Sequence, residues 1–292
     1  MSALNPGVAL TPGLARSDRR VTAARTLRTL VRRPTFVASC VVLLFWLAAP
    51  LIVLITGLDP DAAAGVPNQP PSPQHWLGVD NLGRDELTRV LAGASSTLLV
   101  APAATALATV LGTALGLLAG YYRGFADDLL MRSFDLLNAL PGIVAVLLVA
   151  IAFGESPATL IVAIGLFFTP LIARTVRSAV LVEMGKQYVE AAITQGESTR
   201  RVLFAELLPN VAPALIVEAT IRLGYAVFVA AGLSFLGVGA QPPSSDWGLA
   251  VAENRIFLQT AWWSAAFPAL AIISLVVAVN LIADNLREVL DP

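Results

Sequence analysis

The chain alternates between long apolar runs and shorter polar or proline-rich stretches. The runs fall at about Phe36–Gly57, Ser95–Gly120, Phe134–Phe153, Ala158–Arg174, Val211–Val238 and Trp263–Ala283. Each is of helical length, near the ~20 residues that carry a helix across a ~30 Å hydrocarbon layer. None shows the strict alternation of a barrel strand. Inside lipid the backbone must satisfy its own hydrogen bonds, so the pattern predicts an all-α integral membrane protein with about six transmembrane helices. The third and fourth runs share only a short turn at Gly154–Pro157, so the count of six depends on reading them apart.

These runs divide the chain. Residues 1–33 form an arginine-rich polar tail, 34–57 a first transmembrane helix, and 58–93 a loop carrying Pro67, Pro70, Pro71 and Pro73. Residues 94–283 hold a five-helix core with a polar loop at 183–210, and 284–292 form a short terminal segment. A basic leader before an apolar run resembles an export signal, and Arg32-Arg33 suggests a twin-arginine tag. The tail is too long for that, the pair is misplaced relative to Phe36, and further spans follow, which favours a membrane anchor.

Composition agrees. The chain is 57% hydrophobic and 13% charged, with a mean hydropathy of +0.75, against about 45–50% apolar and 25% charged in soluble domains. The net charge of −1 says little; the placement of charge says more. The tail carries seven arginines, the loop after the second span Arg123 and Arg132, and the stretch after the fourth Arg174, Arg177, Lys186, Arg200 and Arg201. The opposite loops carry only Arg84, Arg89 and Arg255. The positive-inside rule then puts both termini in the cytoplasm and the proline-rich loop, the Gly154 turn and the QPPSSDWG loop outside. With one cysteine, Cys40, and one histidine, His75, neither an internal disulfide nor a Cys/His zinc site can form. No metal site, catalytic residue or nucleic-acid partner is expected.

The polar stretch between the fourth and fifth spans, about Thr175–Asn210, contains YVEAAITQGESTRRVLFAELLPN from Tyr188 to Asn210. Glu190, Ala191 and Ala192 favour helix, Gly196 breaks it, Ser198 or Thr199 can cap a new start, and Pro209 introduces the next span. Small side chains on such an elbow let another protein approach closely; an ordinary amphipathic loop helix has the same shape.

The spelling separates these readings. Glu190-Ala191-Ala192, Gly196 six residues after the glutamate and Leu208-Pro209 ending nineteen after it resemble the EAA motif of ABC importer permeases. The stretches WLGVDNLGRDELTRVLAGASSTL, LAGYYRGFADDLLMRSFDLLNALPG, GLSFLGVGAQPPSSDWG and NLIADNLREVLDP resemble the C-type subunit of the dipeptide/oligopeptide/nickel class, over about residues 74–292. The resemblance implies a type I importer permease in a bacterial inner membrane, working with a second homologous permease, two ATP-binding subunits and an extracytoplasmic substrate-binding protein. The elbow, with Glu190, Ala191, Ala192, Gly196, Glu197, Ser198, Arg200, Leu208 and Pro209, would be the coupling helix that fits a groove on the ATPase. Gly185-Lys186 has Val180 where a phosphate-binding loop needs its first glycine, so ATP and Mg are expected in the partner ATPases and no cofactor in this chain.

Candidates for the translocation path are polar groups inside spans: Asp135 and Asn138 on one face of the third, Glu218 and Arg222 able to pair along the fifth, and Asn280 and Asp284 near the end of the sixth. An interhelical structural contact explains each equally simply. Pro242, Pro243, Asp246 and Trp247 form an outer cap, a binding-protein contact or a stiff connector. His75-Trp76 could also meet that partner. Trp46, Trp262 and Trp263 read as interfacial or packing residues. Gly112, Gly116 and Gly120 form a small-residue stripe suited to close helix packing, within the chain or at the permease–permease contact.

Two other classes fit less well. An ion-driven secondary transporter would need internal repeats and mid-membrane carboxylates, and Glu218 is offset by Arg222. An intramembrane protease is not supported by Gly232-Leu233-Ser234-Phe235 or Gly93-Ala94-Ser95-Ser96, which lack the final glycine of a Gly-x-Ser-Gly.

Overall fold

A computed structural model describes residues 28–290; most of the arginine-rich tail and the last two residues lie outside them. Among the described residues the ordered elements are helices, with isolated bridges at Ala63–Arg84 and Val79–Asp85. Five helices are long and apolar enough to span a bilayer: α1 (Pro34–Thr56), α2 (Glu86–Tyr122), α5 (Pro157–Glu183), α7 (Thr199–Phe235) and α9 (Trp263–Leu290). Their starts follow local chemistry. Pro34 and Pro157 occupy first-turn positions where a missing N–H costs nothing. Asp85 and Ser156 cap α2 and α5 by accepting from the backbone N–H of Thr88 and Thr159.

The third run, expected as one span over about Phe134–Phe153, starts earlier and is broken. It consists of α3 (Phe125–Asn138) and α4 (Gly142–Phe153), bent by 85°. Pro141 is the reason: it cannot donate in a helix interior and pushes the residue before it away from helical geometry. At 12 residues, α4 rises only about 18 Å, less than the hydrocarbon thickness. The helix α3 is pinned to the C-terminal half of α5 by Arg177, whose Nε and Nη2 each lie 2.5 Å from Asp127, and by Arg174, 2.8 Å from Asp135.

Several boundaries move too. The second span starts at Glu86, inside the stretch read as loop, and the sixth runs on to Leu290. The fourth continues to Glu183, so the polar stretch begins well after Thr175. The fifth begins at Thr199, before Pro209.

The α2–α5 pair is the centre of the fold. A Cβ on Gly112, Gly116 or Gly120 would stand 2.8 Å from Ile172 Cβ, 2.6 Å from the Ala173 carbonyl or 2.6 Å from Val180 Cγ1. The glycine stripe is therefore filled from within the chain and does not face another permease. Helix α7 packs on α2, α5 and α9, and α1 lies against α9 and α2. The far flank of α1 stays bare, with Leu44 62% and Ile55 82% exposed, as lipid contact allows.

The loops sort into two ends. At one end, the proline-rich loop, the Gly154 turn and the segment after α7 come together: Gln241 donates to Glu155 at 2.6 Å and Trp263 to the Val79 carbonyl at 3.2 Å. At the other end lie the start of α1, the α2–α3 connection, the 183–210 elbow and the end of α9, where Arg33 meets Asn285 and Glu288.

Candidate functional site

The elbow at the second end is built from the sequence outward. A short helix α6 (Gln187–Thr194) carries Glu190, Ala191 and Ala192. It stops in a paired closing turn: the Gly196 N–H donates to the Ile193 carbonyl at 3.0 Å and the Glu197 N–H to the Ala192 carbonyl at 3.1 Å. This Schellman arrangement needs a left-handed residue at Gly196, whose φ is +77°. Ser198 then takes the N-cap position of α7 with extended backbone, although its side chain makes no capping bond.

Pro209 lies in the first turn of the α-helical stretch Leu208–Phe235, as its reading as the entry to the span expects, but no break precedes it. The helix α7 runs on continuously from a π-helical turn at Val202–Leu207, which ends two residues before the proline. A wider turn relieves the clash between the proline ring and the preceding backbone.

One face of the elbow is anchored and the other bare. Val189, Ala192, Val202, Leu203 and Leu207 belong to the buried core of the membrane helices. Glu190, Ala191, Gly196, Ser198 and Arg200 are exposed or nearly so, Leu208 and Pro209 half-buried, and a Cβ on Gly196 would meet nothing within 4 Å. Glu197 pairs with Arg201 at 3.2 Å. Ile193 and Phe204 stand 44% and 63% exposed on the same elbow. Sequence reading missed these two; an apolar residue on an otherwise polar loop was the available signal.

Both ends of the elbow are clasped by Tyr188, also missed as a contact. Its hydroxyl donates to Glu183 at 2.6 Å, where α5 ends, and accepts from Asn210 Nδ2 at 3.0 Å in α7. Lys186 binds the other oxygen of Glu183 at 2.7 Å. Burial, and then the hydrogen bond to Glu183, raise the Tyr188 phenol above its ordinary pKa.

The other candidates do not converge. Asp135 is 71% exposed and held by Arg174, while Asn138 donates to the Phe134 carbonyl of its own helix. Glu218 and Arg222 pair at 2.6 Å midway along α7, and Arg222 lies over the Tyr225 ring. Asn280 packs against Gly224 between α9 and α7. The segment with Pro242 and Pro243 leads into α8 (Trp247–Asn254), which folds inward between α2, α7 and α9. Asp246 caps it, accepting from the Leu249 N–H and the Ser96 hydroxyl. Trp247 is fully buried, donates to the Val90 carbonyl at 2.8 Å and stacks edge-on against Trp46. This is a packed element, not a plain connector. Trp46 and Trp263 are buried as well, whereas Trp262 is exposed just before α9 begins.

Sequence reasoning also missed a buried charge network beside α8. Asp80, fully buried, lies 2.6 Å from Arg84 Nε and 3.6 Å from Arg89 Nε. Arg89 reaches Asp61 at 3.0 Å and the Ser244 carbonyl at 2.9 Å, and Arg84 reaches Glu253 at 3.6 Å. The network ties the proline-rich loop to α2 and α8.

Residues 112–292 match the family of binding-protein-dependent transport system inner membrane components. A permease protein of Brucella suis biovar 1 named for a peptide transport system is 41% identical over 91% of this chain and 90% of its own. The glutathione transport system permease protein GsiD of Pectobacterium atrosepticum is 42% identical over 77% of this chain and 75% of its own. GsiD of Escherichia coli O6:K15:H31 is 44% identical over 77% and 74%.

Proposed function

We propose, because this chain belongs to the binding-protein-dependent transport system inner membrane component family, that it forms half of the translocation path of an ATP-driven importer for peptides or related small solutes. As a member of that family it is a multi-pass inner membrane permease. The other half would be a second homologous permease, the motor two ATP-binding subunits holding ATP and Mg, and the solute source an extracytoplasmic substrate-binding protein. This chain itself would carry no catalysis.

The observation that carries the reading is the elbow. It is anchored by core residues and clasped by Tyr188 to the ends of two spanning helices, yet its outer surface is bare around Glu190, Ala191, Gly196 and Arg200. A motor seated there would move α5 and α7 as rigid bodies, and this is how ATP binding could bias a two-state path. The excess of arginine at this end supports a cytoplasmic location. Nothing in the family or the relatives supports an ion-driven carrier.

The test is site-specific crosslinking from Ser198→Cys in the complete complex, combined with uptake in proteoliposomes. Crosslinks to an ATP-binding subunit and uptake that needs ATP are expected. Crosslinks to an extracytoplasmic protein, or uptake driven by a proton gradient alone, would overturn the assignment.

A further inference from the structure

The end of the molecule opposite the elbow carries an open cleft of ≈ 480 Å³ where the end of α1 meets the proline-rich loop. Leu58, Asp59, Ala62, His75, Trp76 and Asp85 are among its walls. Trp76 is 72% exposed and leaves its indole open to solvent at the cleft wall. Asp85 is committed: it accepts from the Thr88 N–H and hydroxyl and lies 3.0 Å from His75 Nδ1. Asp59 is exposed, and its carboxylate accepts only from the Asp61 N–H two residues on.

Charge at this end is lopsided. Residues 57–93, 154–156 and 236–262 together carry eight carboxylates and three arginines. Arg84 and Arg89 are buried, as are Asp80, Glu86 and Asp246, so the fully exposed charges are Asp59, Asp61 and Glu155 against Arg255, and this end as a whole stays net acidic. An acidic surface with an exposed indole attracts a cation twice over, through the ring face and through the carboxylate. It repels anionic lipid headgroups and a second acidic copy of itself.

We propose that this cleft receives an arginine or lysine side chain of the extracytoplasmic protein that delivers solute, seated over Trp76 and paired with Asp59. The assignment rests on the importer reading given above. Charge complementarity of this kind speeds encounter and fixes orientation, and it weakens with salt.

The experiment uses the assembled transporter in nanodiscs and the solute-binding protein that co-purifies with it. Dissociation constants are measured for wild type, Trp76→Ala and Asp59→Asn at low and high ionic strength, with basal ATPase activity and thermal midpoint as controls for intact folding. Each variant is expected to bind roughly tenfold more weakly at low salt. Asp59→Asn should also flatten the salt dependence that Trp76→Ala retains. Wild-type affinity in both variants, or an unchanged salt dependence in Asp59→Asn, overturns the proposal. So does quenching of Trp76 fluorescence by brominated lipids with no response to the binding protein, which would make the indole a membrane anchor. A wild-type complex that imports with ATP while the variants bind normally defeats this proposal alone; one that binds no such protein and shows no ATP-driven uptake defeats the importer reading as well.

Discussion

The Tyr188 hydroxyl lies 2.6 Å from the Glu183 carboxylate and closes the elbow onto the end of α5, while Asn210 holds the same oxygen from α7. Tyr188→Phe removes both bonds and keeps the ring. The loss of stability should be modest, about 1 kcal/mol for a partly buried hydrogen bond. The loss of coupling should be larger, since the two helices would no longer move with the elbow. Solute imported per ATP hydrolysed in proteoliposomes is therefore expected to fall while ATPase activity persists. An unchanged ratio would mean that the clasp transmits nothing.

The same contact sets a pH dependence. The Tyr188 phenol titrates above its unfolded value because burial and the Glu183 hydrogen bond oppose ionisation. The folded state therefore holds this proton longer than the unfolded chain does. The resulting stability is complete below about pH 10, the ordinary phenol value, and fades as pH rises through the elevated one. Ultraviolet titration just above pH ~10 should give equal phenolate signals for wild type and Tyr188→Phe, because Tyr188 is still protonated there. A smaller signal from the variant would show that the phenol ionises normally.

Gly196 allows a test of whether the elbow meets another surface. Its backbone is left-handed at φ +77°, so an ordinary L side chain there costs about 1–2 kcal/mol. The space around it in this chain is empty, so Ala and Leu carry nearly the same conformational penalty. Asn, which tolerates this region, carries less. If a motor subunit packs against the elbow, Gly196→Leu should lose far more uptake than Gly196→Ala, with similar amounts of chain in the membrane. Equal losses would place the whole effect in the backbone.

The five long helices were readable from hydropathy because lipid demands about 20 apolar residues whatever the tertiary packing. The elbow was readable from Gly196 and its neighbours because a left-handed closing turn is a local requirement. Bilayer-length averaging hid the 85° bend at Pro141, since α3 and α4 are apolar enough together to imitate one span. The network around Asp80 was invisible for a different reason. Arg84 and Arg89 look like ordinary loop and first-turn charges, and only the return of α8 brings Glu253 and the Ser244 carbonyl within reach. Tyr188 and Asn210 are 22 positions apart, so their contact depends on how the elbow closes.

The α2–α5 interface predicts a steep size dependence. A methyl on Gly116 would sit 2.6 Å from the Ala173 carbonyl and 2.8 Å from Val176 Cβ. Overpacking of this kind costs roughly 1–3 kcal/mol per site, so Gly116→Ala should lower the thermal midpoint in detergent and Gly116→Leu should prevent accumulation. Gly185, where an added Cβ would meet only the Val182 carbonyl at an ordinary 3.5 Å, is the control, since substitution there adds no clash. A stable Gly116→Leu protein would refute the close α2–α5 approach.

The Asp80–Arg84 pair gives the sharpest energetic contrast. Asp80 is fully buried, and Arg84 is 6% exposed with Nε 2.6 Å from the carboxylate. Removing one member of such a pair typically costs about 3–5 kcal/mol, because the survivor is left charged without its counterion, whereas replacing both with neutral groups of similar volume can be nearly free. Arg84→Met should therefore destabilise more than the double variant Asp80→Asn, Arg84→Met. In the double variant the introduced amide oxygen can still accept from the backbone N–H groups of Leu82 and Arg84 that Asp80 now binds. Thermal unfolding and protease cleavage within the proline-rich loop read the two effects separately. Arg89 and Glu253 complicate the balance, since each would lose a neighbour of opposite charge. A double variant as unstable as Arg84→Met would mean that these outer members, and not the central pair, hold the loop on α8.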